Sequence, residues 1–475
     1  MIETLFLIYL MNTTFNPKIE APLDKDFKPA VLANRQLTDC VSRMGNPVEI
    51  QIALEQADGS TSVFKTFVAP PGTIVADANF HYIERIVKFL LWSRGGYRIY
   101  ISGSEDIAKR LSEYYRNTPT GRFDSNLIGE KVYDHPIEVI YVQPNEIPAP
   151  KMKSTPLGRH WDGCRVGFDL GASDRKTAAV IDGEVIFTNE TPWNPSVQSD
   201  PQYHFDGIMD SIRQAAAHLP RVDAIGGSSA GIYVNNQVKV ASLFRSVPPD
   251  LFQKRVKNLF FEIKQAWNNV PFEVANDGEV TALAGSMALN DNAVLGIAMG
   301  SSQAAGYVTP EGNITCWLNE LAFAPVDYNP NAPVDEWSGD KGCGVQYFSQ
   351  QAVGRLAKKA GIQLEPDMPL PEILKYVQQL VQKGDPRAIE IFQTIGVYFG
   401  YAIAHYADFY EFKHVLVLGR VTSGPAGEII VQNANNVLKI EFPNLAEKVK
   451  LHLPGEKEKR HGQAVAAASL PVIPK

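Results

Sequence analysis

Small, glycine-containing turns that close apolar runs are the segments of this sequence best suited to chemistry. The first reads Asp169-Leu-Gly171-Ala-Ser173-Asp-Arg-Lys176 and closes the strand-like run 166–170. A tight turn of this kind presents amides and a hydroxyl to phosphate oxygens. A carboxylate at a strand end can hold Mg²⁺ through water. A strand that ends in Asp-x-Gly is also an ordinary turn, so this motif alone leaves both interpretations open.

A second turn, Gly300-Ser301-Ser302, offers the same small, hydroxyl-bearing residues further along the chain. A hairpin signal follows each turn, at 182–183 and at 310–313. One such turn carries little information. Two of them, each followed by a hairpin, indicate phosphates held from both sides.

Two acidic dipeptides accompany these turns. Asn276-Asp277 follows the apolar run 272–275 and opens an Ala-rich helical segment. A carboxylate at a helix N-terminus that faces a cleft can act as a general base, although Asn-Asp-Gly is also a common turn and Asp a common N-cap. Asn319-Glu320 could accept hydrogen bonds from substrate hydroxyls. A lone Glu is otherwise expected at the solvated surface.

A glycine-rich segment, 419–427, follows the hydrophobic run 414–418 and contains Gly419 and Gly424. Glycine lets the backbone approach a ligand closely, so this segment could contact an adenosine moiety. The alternative is a simple strand-to-helix turn.

The elements that position these motifs follow from hydrophobic periodicity. Strand–turn–strand patterns begin at residues 165 and 293, which indicates an internal duplication. Upstream, residues 47–145 alternate strand-like and helical patterns, typical of a small α/β domain. The Pro-rich stretch 144–156 is interpreted as a linker. Helices are also predicted at 206–218, 251–267, 278–289, 349–360, 370–382 and 388–409.

Composition narrows the function classes. The chain has 475 residues, 45% hydrophobic and 20% charged, with a net charge of -7. This composition fits two or three soluble domains and argues against nucleic acid and anionic membranes as partners. Four scattered cysteines indicate reduced thiols. The apolar run 5–11 lacks a basic flank and is short for a signal peptide, so a cytoplasmic protein is expected, with Met1 or Met11 as its start.

In chain order, the motifs are a phosphate turn, Asn-Asp, a second phosphate turn, Asn-Glu, Cys-Gly and a glycine-rich turn. This order resembles the ROK family (repressor, open reading frame, kinase) of the hexokinase–actin superfamily over residues 165–475. The segments that carry the resemblance are the first phosphate motif at 169–173, the catalytic Asn-Asp at 275–277, the second phosphate motif at 300–302, the adenosine motif at 417–427 and the closing helix at 461–468.

The resemblance implies an α/β, actin-like (ribonuclease H-like) two-lobed ATPase core with an additional N-terminal α/β domain. The implied boundaries are 1–155 for the accessory domain and linker, 160–288 for the first lobe, 289–457 for the second lobe, and 458–475 for a C-terminal helix that joins the first lobe.

The resemblance also implies phosphoryl transfer from ATP, with Mg²⁺, to a hydroxyl of a hexose-like sugar. Asp277 would be the base, Asn276, Glu320 and Gln350 would bind the sugar, and Asp169 would lie near Mg²⁺. The nucleotide would be surrounded by Asp169, Gly171, Ser173, Lys176, Gly300, Ser301, Ser302, Gly419 and Gly424. A homodimer is left open.

Two segments depart from the family pattern. Glu320-Leu-Ala-Phe323 stands where the family has Glu-x-Gly-His, so a phenylalanine replaces the histidine that binds sugar and zinc. The zinc segment retains Cys343 alone, and one thiolate cannot build a four-ligand site. No zinc is therefore predicted, and Cys343 is expected to be a buried thiol. Gln350 stands where the family tends to place a further sugar-binding glutamate.

These departures leave two functions open. The first is an ATP-dependent sugar kinase. The second is a catalytically impaired sensor that binds a sugar or nucleotide and uses the N-terminal region as its output. Trp317 and Trp337 are assigned to packing, with sugar stacking at one of them as the alternative.

Overall fold

The structure is a computed structural model that describes residues 17–152, 157–453 and 462–474. The apolar run 5–11, both candidate start methionines, residues 153–156 of the Pro-rich stretch and His461 lie outside the described residues. Among the described residues, none of the helices combines the length and apolar character that crossing a membrane requires.

Strands and helices alternate along most of the chain. The strands are β1 (Val48–Glu55), β2 (Thr61–Val68), β3 (Arg98–Ser102), β4 (Glu138–Tyr141), β5 (Cys164–Leu170), β6 (Asp174–Ile181), β7 (Glu184–Pro192), β8 (Ala224–Ser229), β9 (Ile232–Val234), β10 (Gln237–Val240), β11 (Phe272–Asn276), β12 (Val294–Met299), β13 (Gln303–Val308), β14 (His414–Leu418) and β15 (Lys450–His452). The α-helices are α1 (Ala30–Ser42), α2 (Asn79–Arg94), α3 (Glu105–Asn117), α4 (Pro119–Asp124), α5 (Pro201–Ala216), α6 (Pro249–Leu251), α7 (Leu259–Ala266), α8 (Asp277–Leu289), α9 (Gln350–Lys359), α10 (Leu370–Gln382), α11 (Pro386–Tyr406), α12 (Pro425–Glu441), α13 (Pro443–Ala446) and α14 (Gly462–Ala468).

The N-terminal strands form a sheet of order β2-β1-β3-β4. Strand β1 pairs antiparallel with β2 and β3, and β3 pairs parallel with β4. Helix α2 is buried along most of its length, and even the side chain of its Lys88 is fully buried. The alternation of strands and helices predicted for 47–145 is therefore confirmed.

Two further sheets repeat one arrangement. In the first, of order β11-β8-β5-β6-β7, β5 pairs antiparallel with β6 and parallel with β8. In the second, of order β13-β12-β14-β15, β12 pairs antiparallel with β13 and parallel with β14. The turns at 171–173 and 300–302 occupy equivalent places in the two sheets. The strand pairing thus confirms the predicted duplication.

Two helices pack where the repeated sheets meet. Helix α14 lies so close to the first sheet that a Cβ on Gly167 would sit 1.8 Å from the carbonyl oxygen of Ala464. Helix α8 lies against β12 and β13, and a Cβ on its Gly278 would also be too close to a backbone oxygen, at 2.4 Å from the carbonyl oxygen of Ala305. Because only glycine permits these close approaches, Gly167 and Gly278 determine where α14 and α8 pack against the sheets.

The N-terminal sheet shares one continuous hydrophobic core with the second of the repeated sheets. Phe27 packs on Tyr398, with ring centroids 4.6 Å apart, and the Lys88 ammonium pairs with Asp340 at 2.9 Å. Elements of the described N-terminal residues, 17–141, therefore pack directly against the second repeated sheet and the helices around it.

Some predicted elements differ in the structure. The single helix expected at 251–267 is divided into α6, a π-helical turn at Phe252–Val256 and α7. The described part of the predicted linker is pinned to β2, because Lys151 and Thr61 exchange two backbone hydrogen bonds of 2.7 and 2.9 Å. Helix α1 and the hairpin β9–β10 were not predicted, since neither has a strong periodic pattern.

Candidate functional site

The parallel strands of the first repeated sheet end in polar residues on one edge. The register places Asp169 of β5 beside Ser228 of β8, and Asn276 of β11 beside Ser229. The hydroxyl of Ser228 donates a 2.7 Å hydrogen bond to Asp169. The carboxyl ends of parallel strands are where α/β sheets place ligands, so this edge is the natural location of a site.

Asp169 is a buried carboxylate with one cation near it. It is 4% exposed, and burial raises its pKa, against the lowering effects of the Ser228 hydroxyl and of Lys176. The Lys176 ammonium lies 3.7 Å from Asp169 and 2.7 Å from Asp174. Burial would lower the pKa of Lys176, but these two carboxylates raise it, so the lysine remains charged.

The turn between β5 and β6 is held from within. The Gly171 amide donates to the Asp174 carbonyl at 2.9 Å, and the Ser173 hydroxyl donates to the Asp174 carboxylate at 2.9 Å. The Trp193 indole donates to the Gly171 carbonyl at 2.8 Å. The sequence predicts that the Gly171 amide faces a phosphate. In the structure this amide is bonded within the turn instead, because the antiparallel hairpin of β5 and β6 closes there. Ser173 is exposed at its tip.

Asn276 and Asp277 begin helix α8. Asn276 is the N-cap, since its side-chain oxygen accepts from the Gly278 amide at 2.7 Å, and its side-chain amide donates to the Gly231 carbonyl at 2.6 Å. Asp277 is the first helical residue. Burial, and then the nearby carboxylate of Asp169, raise the pKa of Asp277 to about 6. A carboxyl group tuned toward neutral pH can accept a proton from a hydroxyl.

Glu320 lies in the segment that follows β13 and faces the same acidic group. Burial, and then the carboxylate of Asp277, raise the pKa of Glu320 to about 7. Its backbone amide donates to the carbonyl of Trp92 at 2.9 Å. Asp277 is therefore near enough to Asp169 and to Glu320, two other predicted residues, for the charges of their carboxylates to interact.

The turn of the second sheet, 300–302, contacts Gln350 and lies next to Gly419, two other predicted residues. The carbonyl of Gly300 accepts from the amide of Gln350, the first residue of α9, at 2.9 Å. Gln350 is buried, whereas Ser301 and Ser302 are exposed. The Gly300 amide donates to the Ser302 carbonyl at 2.8 Å, so the glycine amide of this turn is also bonded within the turn, although the loop it closes is one residue shorter than the first.

Gly419 lies beside this turn, because β14 runs parallel to β12. Its φ is +94°, and a Cβ would sit 2.4 Å from the carbonyl oxygen of Met299. Gly424 is the exposed N-cap of α12, with a φ of +62° and nothing within 4 Å of an added Cβ. A helix N-terminus attracts anions through its partial positive charge.

Sequence reasoning missed several residues that adjoin the carboxylates. Ser228 and Ser229 end β8, and Tyr233 of the β9–β10 hairpin donates to the Ser229 hydroxyl at 2.6 Å. Burial raises the pKa of Tyr233, and the carboxylate of Asp277 raises it further. The end of a buried strand was the available signal for the two serines. The hairpin residue carried no sequence signal.

The segments that depart from the ROK pattern are packed by apolar neighbours. The ring of Phe323 packs at a tilt against those of Trp92 and Phe123, with centroids 4.3 and 5.7 Å apart. Cys343 is a fully buried thiol, as predicted, and burial raises its pKa to about 12. Among the described residues, no three His, Cys, Asp or Glu side chains are grouped so that they could hold a metal ion.

The two tryptophans differ. Trp317 packs face to face on Tyr307, with centroids 5.5 Å apart, as predicted. Trp337 is 73% exposed, so its assignment to packing is wrong. The reason is local: Asp335 binds the amide and hydroxyl of Ser338, and this tight turn lifts the intervening indole into solvent.

No family model matches the sequence, and no curated protein matches it. Among solved structures, a ROK hexokinase from Thermus thermophilus matches with a TM-score of 0.51 and 17% identity, covering 64% of this chain and 96% of that chain. A ROK family transcriptional regulator, a homolog of the E. coli MLC protein, matches with a TM-score of 0.49 and 19% identity over 64% and 77% of the two chains. A ROK family glucokinase from Streptomyces griseus, in complex with glucose and AMPPNP, matches with a TM-score of 0.44 and 19% identity over 64% and 98%.

The chain therefore shares the fold of a ROK hexokinase over about two thirds of its length. The resemblance predicted from the motifs is confirmed at the level of the fold. At this identity, a shared fold does not transfer an activity.

Proposed function

We propose that the chain is a ROK-type, ATP-dependent kinase that phosphorylates a hydroxyl of a hexose-like sugar, with Asp277 as the general base. The observation that carries the proposal is the position of Asp277. Asp277 begins helix α8 at the sheet edge that holds Asp169, and the charge of its carboxylate raises the pKa of Glu320. In the proposed reaction, Asp277 takes the hydroxyl proton while the acceptor oxygen bonds to the γ-phosphorus. The bond from that phosphorus to the β-phosphate oxygen breaks, and ADP leaves.

The phosphate side of the proposed site is formed by the two equivalent turns. Lys176 supplies the positive charge for the first turn. The other proposed contacts to the phosphates are the exposed side chains of Ser173, Ser301 and Ser302. Gly171 and Gly300, whose amides are bonded within the turns, are proposed to let the phosphates lie close to the backbone. The proposed contacts to the adenosine side are Gly419 and Gly424. Hydroxyls and charge that hold the phosphates in line supply most of the catalysis in reactions of this type.

Asp169 fits a role near Mg²⁺ through water. Ser228 and Lys176 already lie against its two carboxylate oxygens, so contact through an ordered water suits it better than direct coordination. Bound to the triphosphate, Mg²⁺ would neutralise charge on the phosphates. No zinc is proposed, since Phe323 and Cys343 both pack among apolar neighbours.

On the acceptor side, we propose Asn276, Glu320 and Gln350 as contacts to the sugar. Asn276 uses one side-chain hydrogen and one lone pair within the fold, which leaves one of each for a ligand. Residues 160–288 with 458–475, and residues 289–457, are proposed as the two lobes around the cleft. Residues 1–155 are proposed as an accessory region, and the protein as a cytoplasmic enzyme.

The test is an ADP-release assay with ATP, Mg²⁺ and a panel of hexoses, amino sugars and polyols. Wild-type protein should release ADP with at least one acceptor, and Asp277→Asn should not. Mass spectrometry should find one added phosphate on that acceptor. Absence of turnover across the panel, with folded protein, would count against the kinase.

The same panel of compounds tests the alternative function, a catalytically impaired sensor that binds a sugar or nucleotide. Phe323 favours this alternative, because its packing against Trp92 leaves an apolar ring where a polar sugar contact was expected. A sensor would be stabilised thermally by a sugar or nucleotide without releasing ADP.

A further inference from the structure

Glu279 is a buried acid that the proposed reaction does not use. It lies two residues after Asp277 in the first turn of α8 and is 5% exposed. Its carboxyl group accepts a hydrogen bond from the side-chain amide of Asn319 and another, of 3.3 Å, from the backbone amide of Tyr307. A buried acid is kept in place only when such partners compensate its burial.

Two further hydrogen bonds hold Asn319 in place. Its backbone has a φ of +51°, in the left-handed region, and its side-chain oxygen accepts from the Tyr410 hydroxyl at 2.7 Å. Its amide donates to the carbonyl of Ser93 at 2.9 Å, and the amide of Glu320 donates to that of Trp92. These carbonyls belong to the last turn of α2, where a helix has no internal partners for them.

A short chain of contacts therefore joins the two acids of the proposed acceptor site. It runs from Asp277 over two residues of α8 to Glu279, across a side-chain hydrogen bond to Asn319, and along one peptide to Glu320. We propose that Glu279 is a positioning residue that, through Asn319, fixes Glu320 at its working distance from Asp277. This inference rests on the proposed kinase function.

The position of Glu279 near Glu320 also makes the proposed sugar site sensitive to alkaline pH. Burial raises the pKa of Glu279 to about 8, so the group is largely neutral at pH 7. The titratable groups that interact with it are the carboxyl of Glu320, in the segment after β13, and the phenol of Tyr410, after α11, and Arg94 of α2 lies near Tyr410. Ionisation adds a second negative charge beside Glu320, which disfavours the ionised form of that carboxyl.

The kinetic test compares Glu279→Ala with Glu279→Gln, which keeps an acceptor but cannot ionise. Glu279→Ala should raise the KM for the sugar by about tenfold or more, as expected for a lost buried hydrogen bond, and leave the KM for ATP within about twofold. Glu279→Gln should stay within about threefold of wild type at pH 7. It should also lack the fall in sugar kcat/KM that we expect of wild type above about pH 8, where Glu279 ionises.

The matched control is Glu273→Gln. Glu273 is a half-buried acid on the neighbouring strand β11 whose pKa burial also raises, and it pairs with Asn236 instead of Asn319. Its variant should keep the sugar KM and the pH profile of wild type. The proposal is overturned if Glu279→Gln is as impaired as Glu279→Ala, or if the KM for ATP rises in parallel with that for sugar.

A measurement without turnover separates this inference from the kinase proposal. If the wild-type protein phosphorylates nothing, the proposed function fails, and hydrogen exchange of the Asn319 and Glu320 amides still decides the positioning role. Exchange at these amides should be about tenfold faster in Glu279→Ala and unchanged in Glu279→Gln and Glu273→Gln. Unchanged exchange in Glu279→Ala would refute the positioning role.

Discussion

At the scale of single residues, Asp277 carries the reaction that we propose. Asp277→Asn keeps the size of the side chain and its hydrogen bond to Gly278, but removes the base. General base catalysis contributes about 10²–10⁴-fold, so ADP release should fall by that factor with the KM for ATP unchanged. Steady-state kinetics measure this loss. Retention of more than about a tenth of wild-type kcat would show that another group takes the proton.

The acidic limb of the pH profile is a second prediction at this scale. Asp277 must be ionised to act as a base, and its pKa is raised to about 6 by burial and then by Asp169. Therefore kcat/KM should fall below about pH 6, by about tenfold per pH unit for a single proton. A flat profile down to pH 5 would contradict the assigned base.

The same shift has a consequence for stability. The pKa of Asp277 rises from 3.8 to about 6 on folding, so the folded state holds this proton more tightly than the unfolded state. Stability contributed by this group is therefore lost as pH rises from about 4 to about 6 and does not return above that window. Asp277→Asn should raise the Tm relative to wild type at pH 7.5 and change it little at pH 4. Thermal unfolding at both pH values checks the sign.

Residue patterns that are local in sequence were enough to find Asp169, Asp277 and the two turns, because each closes an apolar strand. Glu279 and Asn319 could not be found in this way. Their partnership joins residues 40 positions apart, and nothing in the helical pattern of α8 distinguishes a buried acid from a solvated one.

At the scale of elements, the pairing of β12 with β14 places the proposed nucleotide turns side by side. Gly419→Ala would bring a Cβ to 2.4 Å from the Met299 carbonyl oxygen, at a φ of +94°. We expect the ends of these strands to separate, the KM for ATP to rise, and unfolding free energy to fall by about 1–3 kcal/mol. Isothermal titration with an ATP analogue and chemical denaturation measure both effects.

Gly361→Ala is the control for backbone strain alone. Gly361 follows α9 with a φ of +69°, and nothing lies within 4 Å of an added Cβ. It should lose stability but bind nucleotide as wild type does. Equal effects of the two variants on ATP binding would argue against a nucleotide site at Gly419.

Element prediction succeeded where periodicity is strong and failed where tertiary contacts decide. Strand β12 is a continuous apolar run, β5 and β14 are mostly apolar, and α10 was predicted with the observed limits. The segment 251–267 has a helical pattern, but Pro248 and Pro249 start it with a short turn and a π-helical stretch interrupts it. The role of the last turn of α2 in binding the amides of Asn319 and Glu320 is a long-range contact that no local pattern encodes.

At the scale of the whole molecule, the N-terminal sheet and the proposed second lobe are joined by a buried charge cluster. The Lys88 ammonium contacts Asp124 at 3.2 Å and Asp340 at 2.9 Å, and Arg85 binds Asp340 at 2.9 Å. Burial would raise the pKa of Asp340, but Arg85 and Lys88 lower it to about 2. Burial raises the pKa of Asp124 to about 6 even with Lys88 beside it. The loop that carries Asp340 leads to Gln350, so this cluster supports the acceptor side.

Lys88→Met should therefore destabilise the entire protein. Removing one partner of a buried ion pair costs about 3–5 kcal/mol, because the remaining charge stays buried without compensation. Adding Asp124→Asn should recover part of that loss, since the amide oxygen can still accept from the Trp92 indole, as Asp124 does at 3.0 Å. Lys413→Met, which breaks an exposed 3.7 Å pair with Asp291, should cost less than about 1 kcal/mol.

Urea unfolding followed by circular dichroism and tryptophan fluorescence tests this coupling. Because one hydrophobic core runs through the N-terminal sheet and the second repeated sheet, both probes should report the same transition, and Lys88→Met should move it as a unit. An early, separate transition shifted by Lys88→Met, with the main one unmoved, would mean that the N-terminal region unfolds independently. In that case α2 could not hold the amides of Asn319 and Glu320 in place. The N-terminal region would then be better explained as the output domain of a sensor than as a support of the acceptor site.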